Sequence, residues 1–135
     1  MDEKTALFCK EFKENFGFDS RFMIFDAEVV KNKKSRFLEV KTTEGHFSSV
    51  IKKFYKIYFD NSPELKIKIL VLPYQQLKYK YGIAVAGICP LYSSATNRTE
   101  QINQVIIGET FDVLEVSGDE EWYRIRIHTD GYIGW

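Results

Sequence analysis

The sequence predicts a mixed α+β domain over residues 1–73, followed by an all-β small barrel over residues 81–135. Two observations carry this. In the first part, apolar residues switch between helical and strand spacing in the order helix, strand, strand, helix, strand. From Ile106 onward, short apolar runs alternate at period two, and each ends in a turn signal: Gly108, then Ser117-Gly118-Asp119, then Asp130-Gly131. Strands spaced this closely close into a barrel, because an open sheet of that size leaves its edges exposed.

Residues 5–16 place Phe8, Cys9, Phe12 and Phe16 on one helical face and Lys10, Glu11, Lys13 and Glu14 on the other, with Gly17 as the stop. Residues 21–30 read as a strand in which Phe22 and Ile24 alternate with Met23 and Phe25. The polar stretch 32–35 is the turn of a hairpin, and residues 36–42 return with Leu38 and Val40 on one face. Residues 44–59 take helical period, with Phe47, Val50, Ile51, Phe54, Ile57 and Tyr58 as the apolar stripe and Thr43 as the candidate N-cap. Residues 65–72 form the third strand, with Leu65, Ile67, Ile69 and Val71 on one face. Two helices on one face of three strands bury a single core.

Residues 74–80 are polar and tyrosine-rich and read as a linker, with a domain boundary between Pro73 and Tyr81. Beyond it, Cys89 lies in a strand and Tyr92 on a loop after Pro90. Phe111, Val113 and Glu115 alternate with Asp112, Leu114 and Val116. Tyr123, Ile125 and Ile127 alternate with Arg124, Arg126 and His128. The second set directs Ile125 and Ile127 inward and leaves Trp122 outside with Arg124 and Arg126; the competing reading is a bulge at Glu120-Glu121 that turns Trp122 into the core.

The 135 residues are 44% hydrophobic and 28% charged, the balance of a folded soluble chain. Net charge is zero, and neither half has the basic excess that phosphate contacts to nucleic acid require. No run reaches the ~20 apolar residues of a membrane span. The polar start carries no signal-peptide stretch, so the location is cytoplasmic, or the cell envelope or periplasm if a signal has been removed.

Catalytic chemistry finds no candidate. Cys9 sits inside an apolar helical stripe and Cys89 sits in a strand before Pro90, and neither has an Asp-Cys-Ser-Gly-type nucleophile context. The two histidines, His46 and His128, fall in different domains, and no cluster has metal-ligand spacing. Asp119-Glu120-Glu121 lacks the alternating oxygens of a calcium loop, and Lys31, Lys33 and Lys34 read as an ordinary charged hairpin tip. No cofactor is implied. The functional signal that survives is aromatic: Tyr92, Trp122, Tyr132 and Trp135 are the candidate contacts to a ligand or partner, against the plain alternative that they fill a small core.

The run from Gly82 to Trp135 resembles a bacterial SH3 (SH3b) domain. The matching pieces are Leu91-Tyr92-Ser93-Ser94, Gln104 through Glu109, Val113-Leu114-Glu115, Trp122-Tyr123-Arg124-Ile125 and Gly131-Tyr132-Ile133-Gly134-Trp135. The last is the most specific and resembles the closing turn and strand of SH3b domains that precede the catalytic domain of NlpC-family cysteine peptidases, which cut peptidoglycan stem peptides. The helix–strand order upstream resembles a BON-like domain.

The resemblance implies a non-catalytic module of a cell-wall hydrolase. Its partners would be peptidoglycan stem peptides or glycan, and a downstream peptidase domain. The family's catalytic Cys and His motifs are missing here, and the last strand reads as truncated at Trp135, as in the N-terminal part of a longer peptidase. The alternative is a general protein-interaction module unrelated to cell-wall turnover.

Overall fold

In the computed structural model, which describes residues 2–96 and 98–135, the chain falls into two compact units, 1–72 and 73–135. The first opens with helix α1, Glu3–Phe16. Asp2 caps it: its carboxylate accepts from the Thr5 backbone N–H and from the Thr5 hydroxyl, both at 2.9 Å. Gly17 ends it in the left-handed region at φ 65°, where a Cβ would be strained.

Strands β1 (Phe25–Lys31) and β2 (Arg36–Thr42) form the expected hairpin, and β3 (Leu65–Val71) lies parallel to β2, giving the order β1-β2-β3. β1 starts later than the sequence suggested, because Asp19 nucleates a turn: its carbonyl accepts from Phe22 and Met23 N–H, so Phe22 stays outside the ladder and partly exposed. Leu38 and Val40 are fully buried, as alternation requires. Val71, assigned to the same face as Leu65, is 47% exposed, while Leu72 is buried.

Helix α2 spans Ser48–Phe59 and is entered through a 3-10 turn, Gly45–Phe47. Thr43 is not its cap: the Thr43 hydroxyl accepts from Ile24 N–H and donates to Glu44. Ile51 and Phe59 are buried, Phe47, Val50, Phe54, Tyr55 and Tyr58 pack partly buried against the core, and Ile57 alone of the expected stripe is left 76% exposed. The core between the helices and the sheet is aromatic. Phe12 stacks on Phe25 with ring centroids 4.1 Å apart, and Phe8 meets Phe54 and Phe59 at 5.7 Å each. Offset and tilted rings contribute beyond the area they bury.

The second unit holds a four-stranded sheet, β4 (Tyr81–Ile83), β7 (Thr110–Val116), β8 (Tyr123–Ile127) and β9 (Ile133–Gly134), in the order β4-β7-β8-β9. A two-stranded sheet pairs β5 (Ile88–Tyr92) with β6 (Gln101–Ile106). Residues 74–80, expected as a linker, are bonded into this unit. Tyr74 N–H donates to Leu114 O at 3.2 Å, Lys80 O accepts from Val113 N–H at 2.9 Å, and Leu77 packs on the core of Leu91, Val105, Val113, Ile125 and Ile127. Tyr92 lies on a strand, not a loop. It ends β5 and exchanges two backbone hydrogen bonds with Trp135, at 2.8 and 2.9 Å. Pro90 is tolerated in this short pair because a two-stranded ladder leaves outer positions that need no N–H.

Pairing of β7 with β8 skips Leu114: Val113 faces Ile125, and Glu115 then faces Arg124. This bulge breaks period two, so Val113, Leu114 and Glu115 are all buried in succession.

Candidate functional site

The site is a cleft of about 570 Å³ in the second unit. Its floor is the buried trio Val105, Val113 and Ile125, and its rim is aromatic and aliphatic: Tyr79, Tyr81, Ile83, Val85, Trp122, Tyr123 and Trp135. Glu121 is the single carboxylate among the lining side chains. An apolar concavity with one placed charge is the chemistry of a site that recognises an amphipathic ligand by area and orients it by one polar contact.

Residues 79, 81, 83 and 85 recur at strand period. Tyr81 and Ile83, two apart on β4, share a face, and Tyr79 and Val85 on either side of the strand line the same cleft. Of these four, only Tyr79 falls in the stretch expected as linker; Tyr81, Ile83 and Val85 fall in the expected barrel. The ring of Phe111 lies across Gly82, and a Cβ there would meet it at 2.3 Å. Glycine at this point lets β4 lie against β7.

Trp122 precedes β8 rather than lying on it, so strand alternation does not set its face. It is half-buried, as are Arg124 and Arg126. The turn before it fixes it. Ser117 N–H donates to Trp122 O at 2.9 Å, and Trp122 N–H donates back to Ser117 Oγ at 3.0 Å. The Ser117 hydroxyl in turn donates to Asp119, a bond that holds the Asp119 carboxyl below the usual carboxylate range. Glu120 takes φ 60° to close the turn. Tyr123 keeps the face of Ile125 but stands at the open mouth of the cleft, 43% exposed.

Tyr92 meets Trp122 edge to face at 5.8 Å. Trp135 is held from two sides, by its backbone pairing to Tyr92 and by the Arg124 guanidinium 5.6 Å from its ring centre. Arg124 is itself fixed by Glu115, Nη1 to Oε1 3.0 Å. Of the four sequence-predicted residues, Trp122 and Trp135 line the cleft, Tyr92 buttresses Trp122 from beside it, and Tyr132 packs against the second core. Cys89 lines the cleft, whereas Cys9 is buried in the first core, where desolvation pushes its thiol above the usual range. His128 bridges two β7 side chains, with Nδ1 2.7 Å from Thr110 Oγ1 and Nε2 2.9 Å from Asp112 Oδ1, away from the cleft.

No curated protein matches the chain, and neither does any solved structure. A family model does match: residues 91–135, within the second unit, are similar to the bacterial dipeptidyl-peptidase Sh3 domain, which supports an SH3b-type domain there.

Proposed function

We propose that the second unit is the binding module of a cell-wall hydrolase and that its cleft holds a peptidoglycan stem peptide. The observation that carries this is the aromatic cleft itself, flanked by Trp122 and Trp135 within the matched SH3b segment. Trp122 and Trp135 supply stacking area, with Tyr92 and Tyr132 fixing the surroundings. The two compact units are read as two domains, and the reciprocal Tyr92–Trp135 pairing supports reading the second as an SH3-like barrel. The BON-like reading of the first unit rests on its helix–strand order. The catalytic partner we infer is an NlpC-type cysteine peptidase domain.

Purified peptidoglycan sacculi should retain the chain in sedimentation, and Trp122→Ala should abolish retention without unfolding the protein. Absence of wild-type retention sinks the reading. A second reading, docking onto a peptidase domain, is favoured by the rim, where Tyr81 is 72% and Val85 82% exposed. Exposed apolar side chains grouped this way mark contact surfaces. Cross-linking to a separately purified peptidase domain tests it: adducts at the rim support docking, and none dismisses it.

A further inference from the structure

A second cleft, of about 460 Å³, lies in the first unit at the end of the sheet where the β1–β2 hairpin meets the start of β3. It is lined by Lys31, Lys34, Arg36 and Lys66, with Glu64 as the one acid. A charged hairpin tip alone is ordinary. Three features set this one apart.

First, the strand register places Lys31 directly opposite Arg36. Like charges facing each other across a ladder destabilise it. The same sheet shows the usual remedy elsewhere: Glu39 faces Lys68, and the two form an ion pair at 2.9 Å. Second, Arg36 reaches Glu64 only at 3.9 Å, and among the described residues Lys31, Lys33, Lys34 and Lys66 stand in no ion pair. Third, the tip is built rather than loose. The Asn32 side-chain oxygen accepts from the N–H groups of Lys34 and Ser35, at 3.0 and 2.8 Å, and from the Ser35 hydroxyl at 3.1 Å. The backbone that carries these cations is thus fixed at the turn, and an anion entering the cleft meets several of them at once.

We propose that this cleft is an anion site for two or more adjacent phosphate groups, on one molecule or on neighbouring headgroups. A single carboxylate would leave most of the positive charge uncompensated, whereas adjacent phosphates match several cations at once, with Arg36 offering a planar pair of donors. The lining contains no aromatic side chain, so bases have no stacking surface, which argues against a nucleic acid. The phosphates belong either to a soluble molecule or to lipid headgroups.

Calorimetric titration of the full chain with tripolyphosphate, and co-sedimentation with vesicles of equal parts phosphatidylcholine and phosphatidylglycerol, separate the two sources. Binding in the first assay identifies a soluble ligand, and binding in the second alone identifies headgroups. In either case the Lys34→Glu/Lys66→Glu variant should bind roughly tenfold more weakly or worse, because two attractions become repulsions. The Lys52→Glu/Lys53→Glu variant changes net charge equally on exposed positions of α2 and should bind like wild type. Circular dichroism checks that both variants fold. Failure of both ligands to bind, or equal weakening in the two variants, overturns the site.

Discussion

Glu115 and Arg124 form a closed ion pair, 3.0 Å apart with side chains 3% and 16% exposed, and they meet because Leu114 is skipped in the pairing of β7 with β8. Without the bulge, Arg124 would face Leu114. The pair in turn sets Arg124 beside the ring of Trp135.

Removing Glu115 takes a charged partner from Arg124. Glu115→Ala should lower the stability of the second unit by about 3 kcal/mol, since an almost buried cation loses its counter-charge. Urea unfolding followed by circular dichroism measures it. A loss within about 0.5 kcal/mol, the range of surface changes, would mean the pair is structurally idle.

Gly82→Ala should cost about 1–3 kcal/mol, the range for overpacking, because Phe111 must leave its place across β4. The companion change Gly82→Ala/Phe111→Leu should recover part of it. No recovery would show that the cost comes from the backbone and not from the ring.

Much of this was legible beforehand and some was not, for physical reasons. Leu38 and Val40 follow regular alternation, and Phe8 and Phe12 follow helical spacing, so both faces could be read directly. Ile57 was misplaced because it lies at the margin of the α2 stripe, past Phe54, where helical spacing alone does not show that the core has ended. Leu114 was unreadable because a bulge adds a residue without any local signature in side-chain type. In the cleft, Trp122 and Trp135 were found by composition, whereas Ile83 and Val85 were passed over because single aliphatic residues carry no signal of a site.

Acid should weaken the α1 cap. The Thr5 backbone N–H, above all, holds the Asp2 carboxyl below its ordinary value, against a smaller opposing effect of burial. A depressed folded pKa contributes stability that is present above the unfolded carboxylate range and is lost as pH falls through the folded value. Asp2→Ala should therefore cost about 0.5–2 kcal/mol at pH 7 and little at a pH below the folded value. Equal costs at both pH values would show that the charge plays no part.

The two cysteines should differ in reactivity. Cys9 is 8% exposed with its thiol pushed up by burial, so it should resist iodoacetamide at neutral pH. Cys89, at the cleft, should be alkylated first, and mass mapping of partly modified chains reads the order. Modification of Cys9 at an equal rate would reveal opening of the first core.

The aromatic core of the first unit is built from phenylalanine, with tyrosine beside it, while both tryptophans, Trp122 and Trp135, stand in the second unit. The molecule is therefore optically partitioned. Emission excited at the red edge, where tryptophan alone absorbs, comes solely from the second unit, with Trp122 and Trp135 both at its cleft. Melting of the first unit leaves that emission to change only through coupling between the two. A single pair of intrinsic chromophores thus distinguishes joint unfolding from independent unfolding, with no label attached.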